Sequence, residues 1–143
     1  MANKYKNNPI LLIEDNPIDV DLTLRAFKKR NLVNPILVAR DGATAIEYIN
    51  KWDSGDAIPL VILLDLKLPK VDGLEVLKTF KNHPVYKTIP IVVLTSSSDN
   101  KDIEKAYKSG ANSYIIKPVN FDKFVDVASQ IELYWNILNE PIL

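Results

Sequence analysis

The chain has no cysteine, a single histidine, only four glycines and no excess of charge of either sign. Without cysteine there is neither a disulfide framework nor thiolate chemistry, which accords with a reducing compartment. The one histidine, His83, stands beside Pro84 in a predicted loop and reads as a surface residue, not as a carrier of phosphate. The 18 basic and 18 acidic side chains leave a formal net charge of +0. That balance argues against nucleic acid or an anionic membrane as the main partner, since either needs a net basic surface. No apolar run approaches the length that spans a bilayer, and Met1–Asn8 lacks the apolar core of a signal peptide. The expected location is therefore the cytoplasm.

What the chain does contain is a set of short apolar runs that stop abruptly. Its 143 residues are 47% hydrophobic and 25% charged, the balance of one soluble globular domain able to bury a core. Residues 1–8 are polar and expected to be loose. Residues 9–143 are expected to form a single domain with an extended C-terminal helix and tail. The central run, Leu60 to Leu64, lies between Pro59 and the Pro69–Gly73 turn and ends in Asp65. It is too short and too sharply punctuated for a helix and reads as a strand buried on both faces. Ile10–Ile13, Ile36–Ala39, Ile89–Leu94 and Ser113–Ile116 read as four more strands.

Helices fill the intervals. Asn16 and Pro17 suit a helix start, Asp19 and Asp21 favour its positive end, and Lys28, Lys29 and Arg30 its negative end. Its apolar positions 18, 22 and the neighbourhood of 26 fit helical spacing, and Pro35 is expected to stop it. Further helices are predicted over Ala43–Trp52, Leu74–Phe80, from a Ser98 or Asp99 cap to Ser109, and from Asn120 to about Asn139.

Strand and helix alternate about five times, and right-handed crossovers then give a parallel α/β sheet with helices on both faces. The flavodoxin-like order 2-1-3-4-5 is the expectation. In that order the carboxyl ends of the strands bring Glu14, Asp15, Asp65, Thr95 and Lys117 into one crevice. Three clustered carboxylates repel one another and invite a cation. An all-oxygen set without His or Cys selects magnesium, with manganese as a substitute. A hydroxyl and an ammonium beside them suit a phosphoryl group, which makes Asp65 a candidate nucleophile. Magnesium and Lys117 would stabilise the charge that develops on the transferred group.

Four motifs now stand in order: Leu12-Ile13-Glu14-Asp15-Asn16, Leu64-Asp65-Leu66-Lys67-Leu68-Pro69-Lys70-Val71-Asp72-Gly73, Leu94-Thr95-Ser96 and Ile116-Lys117-Pro118. Over nearly its whole length the chain resembles the receiver domain of two-component response regulators. The resemblance implies that Asp65 is the phosphoacceptor, served by a sensor histidine kinase. It implies that Asp15 binds magnesium directly, Glu14 through water, and Lys67 through its backbone carbonyl. Thr95 would turn its hydroxyl to the phosphoryl group, Lys117 would pair with it, and Tyr114 matches the switch aromatic whose rotamer follows the threonine. Lys67 and Ser97 occupy positions that tune the lifetime of the phosphate. Such a domain assists its own phosphorylation and dephosphorylation without being an enzyme in the turnover sense.

Three rival readings are weaker. A flavodoxin-like FMN carrier needs a hydroxyl- or glycine-rich loop where this chain has Glu14-Asp15. A haloacid-dehalogenase-type phosphatase needs an acid where Lys67 stands. A pseudo-receiver, working as a phosphorylation-independent interaction module, would have little use for the complete set of acids, hydroxyl and ammonium.

The chain ends soon after the receiver, so output is expected through contacts of the receiver itself or by passing phosphate on. The final helix places Phe121, Phe124, Val125, Ala128, Ile131 and Trp135 on one apolar face, with Val127, Tyr134, Ile137 and Leu138 around it. A helix apolar over more than one stripe points to a homodimer through this region. The tail, the loop around Ser54 and the Pro84 insertion resemble single-domain regulators paired with phytochrome-type histidine kinases, whose docking is expected on the first helix around Ile18 and Leu22.

Overall fold

The computed structural model describes residues 8–117 and 120–139, with side chains described as far as Glu132. Five strands, β1 (Ile10–Ile13), β2 (Ile36–Ala39), β3 (Val61–Leu64), β4 (Ile91–Thr95) and β5 (Ser113–Ile116), form one sheet. Every pairing is parallel and the order is β2-β1-β3-β4-β5, as expected from the sequence. The helices are α1 (Pro17–Lys29), α2 (Gly42–Asp53), α3 (Gly73–Lys81), α4 (Asn100–Lys108) and α5 (Phe121–Asn139), with a short 3-10 turn at Tyr86–Thr88.

The continuous apolar runs follow from cover on both faces. Leu11, Ile13, Ile62, Leu64, Ile91 and Val93 point to one core with Trp52, Val76, Leu77 and Phe80 of α2 and α3. Ile10, Leu12, Val61, Leu63, Val92 and Leu94 point to the other, against α1 and α5. Each full burial of such a side chain stabilises the fold by about 1.5–3 kcal/mol before the entropy of ordering is counted.

Several boundaries differ from the sequence reading for visible reasons. β4 begins at Ile91, because Pro90 has no N–H to give a ladder; its carbonyl accepts from Ile62, and the Ile91 N–H is taken by Asn112 Oδ1. α1 ends before Pro35: Asn31 adopts a left-handed conformation (φ 58°), and the Leu32 N–H closes onto the Phe27 carbonyl. The buried face of α1 is Val20, Thr23, Ala26 and Phe27, whereas Ile18 is 68% exposed. On α5, Val127 belongs to the core beside Phe124, Ala128 and Ile131, not to an outer stripe. Trp135 of the first apolar face, and Tyr134, Ile137 and Leu138 of the surface around it, lie outside the described side chains. His83 is half-buried and does structural work. Its Nδ1 accepts the N–H groups of Val85 and Tyr86, and its ring stacks on Tyr86.

Candidate functional site

The strand ends are level with one another, and that places the site. Ile13 pairs with both Ala39 and Leu64, and Leu64 pairs with Val93. The next residue on each strand still joins the ladder: Glu14 N–H donates to Ala39, Asp65 N–H to Ile13, and Lys117 N–H to Thr95. Alternation along the strands then sorts the side chains. Glu14, Asp65 and Lys117 continue the set that faces α1 and α5, whereas Thr95 and Tyr114 continue the opposite set.

Lys117 is the hub of the first group. Its Nζ donates to Glu14 Oε2 at 2.6 Å, to Asp65 Oδ2 at 2.8 Å and to Asp19 Oδ2 at 2.8 Å. Burial alone would depress the ammonium, but these hydrogen bonds to Asp19, Asp65 and Glu14 overrule it and hold Lys117 above the ordinary lysine range. Glu14 is almost fully buried, and that desolvation pushes its carboxyl up to about 7. Hydrogen bonds from Lys117 and the Asn16 N–H oppose the rise, and the Asp65 charge adds to it. Asp65 is buried too, and its Oδ1 accepts the Lys67 N–H at 3.1 Å. Asp15, by contrast, is exposed at the mouth of the crevice.

One carboxylate oxygen from each of Glu14, Asp15 and Asp65 can be chosen so that all lie within 4.8 Å of one another. This donor set fits a hard divalent cation: it is all oxygen, it is crowded with negative charge, and a nearby ammonium balances only part of that charge. On the other side, Thr95 is fully buried, and its Oγ1 has no hydrogen-bond partner among the described residues. A buried hydroxyl left unmatched is costly, and its presence marks a place where an acceptor is expected to arrive. Tyr114 is half-buried with its hydroxyl donated to the Ser97 carbonyl at 2.9 Å, and burial raises the phenol above its ordinary value. Its N–H donates to Tyr107 Oη. Ser97 is buried and donates its own hydroxyl to Asp102 of α4.

The structure thus brings Glu14, Asp15, Asp65 and Lys117 together, with Lys67 joined to Asp65 through its backbone. Thr95 and Tyr114 flank them without a side-chain bond to the acidic group. Two partners escaped the sequence reading. Asp19 registered there only as a charge favourable to the start of α1, although one helical turn beyond Asp15 was a signal that it faces the same crevice. Asp102 gave no local signal, because its tie to Ser97 depends on how α4 packs.

The comparisons with known proteins agree with this geometry. A model of the response regulator receiver domain matches residues 10–129. The probable methanogenesis regulatory protein FilR2 of Methanothrix harundinacea is 41% identical over 127 residues, covering 88% of this chain and 82% of FilR2. Response regulator Rcp1 of Synechocystis is 35% identical over 135 residues, 91% of this chain and 92% of Rcp1. The crystal structure of the Mn(2+)-bound form of Rcp1 superposes with a TM-score of 0.80 at 33% identity, over 95% of this chain and 97% of that one. That of the phosphorylated cyanobacterial phytochrome response regulator RcpA gives 0.83 at 36% identity, over 91% and 94%. A family match that takes in all five strands and the acidic crest at their ends settles the membership: the chain is a response regulator of the receiver-domain family, close to the phytochrome response regulators.

Proposed function

We propose that Asp65 accepts a phosphoryl group from a sensor histidine kinase and that the protein signals through contacts that depend on this modification. The observation that carries the reading is the convergence on Asp65 of the Lys117 ammonium at 2.8 Å and the Glu14–Asp15 carboxylates. An Asp65 oxygen forms the bond to phosphorus. The bond from phosphorus to the donor breaks, and its electron pair leaves with the donor, a histidine imidazole or the carboxylate of a small acyl phosphate. Lys117 keeps its proton and donates a hydrogen bond to the phosphoryl oxygens. Thr95 Oγ1, which has no partner among the described residues, donates to another of them.

Asp15 and Asp65, with the Lys67 carbonyl and Glu14 through water, would hold Mg2+. When bound, the ion neutralises charge on the transferring group. The phosphorylated residue carries about −1.5 to −2 charges at one point, enough to bias a two-state element. Thr95, Tyr114 and α4 are the element we assign to that role. The domain assists its own phosphorylation and hydrolysis and turns over no external substrate.

The partner kinase is of the phytochrome type, supported by the likeness to the phytochrome response regulator RcpA, and docks on α1 near the exposed Ile18 and the half-buried Leu22. A second copy of the chain pairs through the end of α5, supported by the apolar residues of that stretch. Residues 9–143 act as one domain in the cytoplasm, without nucleic acid or membrane. Among the described residues no helix is long and apolar enough to cross a bilayer.

A small acyl-phosphate donor with magnesium, read by intact mass, tests the reading. One phosphate is expected on the wild type, and none on Asp65→Asn or in the presence of chelator. Equal uptake by Asp65→Asn would refute it.

A further inference from the structure

Lys117 is anchored from three directions, and one anchor lies outside the acidic group at the strand ends. Asp19 comes from the first turn of α1, and its Oδ2 accepts from Lys117 Nζ at 2.8 Å. Its own position is fixed by the backbone. The Asp19 N–H donates to Asn16 Oδ1 at 3.3 Å, and its carbonyl accepts the Thr23 hydroxyl at 2.7 Å. The α1 cap thus holds Asp19 beside the β1–α1 turn that carries Glu14 and Asp15.

An ammonium has three N–H donors. The bonds to Glu14, Asp19 and Asp65 use all of them. A lysine ammonium otherwise rotates freely at the end of a flexible four-carbon stem. With two donors fixed by Glu14 and Asp19, the third has one direction left, toward Asp65 Oδ2. Asp19 is not in the set of carboxylates that crowd around a prospective cation. Its effect is therefore separable from theirs.

We infer that Asp19 is a positioning residue for phosphoryl transfer: it locks the Lys117 ammonium so that its remaining N–H meets the phosphoryl oxygens arriving at Asp65. The inference rests on Asp65 being the phosphoacceptor. Asp19 touches neither phosphorus nor donor. During transfer the Asp65–phosphorus bond forms and the donor bond breaks, while Lys117 and Asp19 exchange no proton.

The test compares wild type, Asp19→Ala, Asp19→Asn, Lys117→Ala and the double variant Asp19→Ala/Lys117→Ala. Phosphorylation by a small acyl phosphate with magnesium is followed on a phosphate-affinity gel. The Lys117 ammonium is followed by nitrogen-15 NMR on the protein without donor. Asp19→Ala is expected to slow phosphorylation about tenfold, since loss of orientation is costly even at small displacements. Asp19→Asn, which keeps an acceptor oxygen, recovers part of the rate. Against Lys117→Ala, removal of Asp19 should change the residual rate less than twofold. The ammonium signal should be sharp in the wild type and exchange-broadened in Asp19→Ala. A wild-type rate in Asp19→Ala, or the same slowing with and without Lys117, overturns the inference. A wild type that takes up no phosphate overturns the Asp65 reading itself, a result distinct from both.

Discussion

At the residue scale, the proposed role of Thr95 would trade stability for response. Its hydroxyl is fully buried and has no partner among the described residues, and an unmatched buried hydroxyl costs about 1–3 kcal/mol. Thr95→Val removes the unmatched hydroxyl and keeps the branched shape. Urea unfolding should show the variant to be as stable as the wild type or up to about 1 kcal/mol more so. Hydrogen exchange in α4 should lose its dependence on phosphorylation. A stability loss of several kcal/mol would mean that the hydroxyl has a partner in the resting protein. The residues of the site were legible because chemistry sat at fixed strand ends. Glu14, Asp65, Thr95 and Lys117 each follow or close an apolar run, so locating the runs located the site. Asp19 and Asp102 were not legible as site residues, because a helix start needs acids for its own reasons and the sequence does not say which of them also reaches across a crevice.

Between the elements, the loop after β3 is held tightly. A Cβ at Gly73 would stand 2.4 Å from both the Asp65 carbonyl oxygen and Leu66 Cα, and backbone atoms cannot swing aside as a side chain does. Gly73→Ala is expected to cost about 1–3 kcal/mol in chemical denaturation. It should also slow phosphorylation, because the strand end that carries Asp65 must shift. Unchanged kinetics in a destabilised Gly73→Ala would show that the loop and Asp65 are uncoupled. α2 carries a pH-dependent cap. Asp41 Oδ1 accepts the Thr44 N–H at 2.7 Å, and this bond, with help from Lys70, holds its carboxyl below the ordinary 3.8. A depressed carboxyl stabilises the fold above its unfolded value and loses that contribution as pH falls through its folded one. The acid side of a thermal-stability profile, below about pH 4, should therefore flatten in Asp41→Asn, which keeps a cap oxygen. A slope identical to that of the wild type would contradict this.

The elements themselves were mostly visible in the sequence. The burial of α1 was not, because helical spacing admits more than one face. Ile18 fitted the helical spacing of the apolar positions, yet it is 68% exposed, and Val20 takes the buried place.

For the molecule as a whole, alternating runs and the handedness of crossovers implied a parallel sheet with helices on both faces, and the order β2-β1-β3-β4-β5, expected among such folds, is the one observed. The division of labour between the two cores was equally implicit in strand alternation. Association was less legible, since an apolar residue on α5 satisfies a core and an interface by the same pattern. Val127 proved to be core, so the case for a second copy rests on the stretch from Tyr134 to Leu138. Light scattering is expected to show a molar mass that rises to that of a dimer with protein concentration. A monomer at high concentration, phosphorylated or not, would contradict the pairing.

The measurement that tests the account most directly asks which atom receives the phosphate. Protein phosphorylated by a small acyl phosphate with magnesium would be reduced with borohydride, which converts an aspartyl phosphate to homoserine, then digested and sequenced by mass spectrometry. The account predicts homoserine at position 65 and nowhere else, with its formation dependent on magnesium. Homoserine at another aspartate, or phosphate recovered intact on a hydroxyl or on His83, would contradict it.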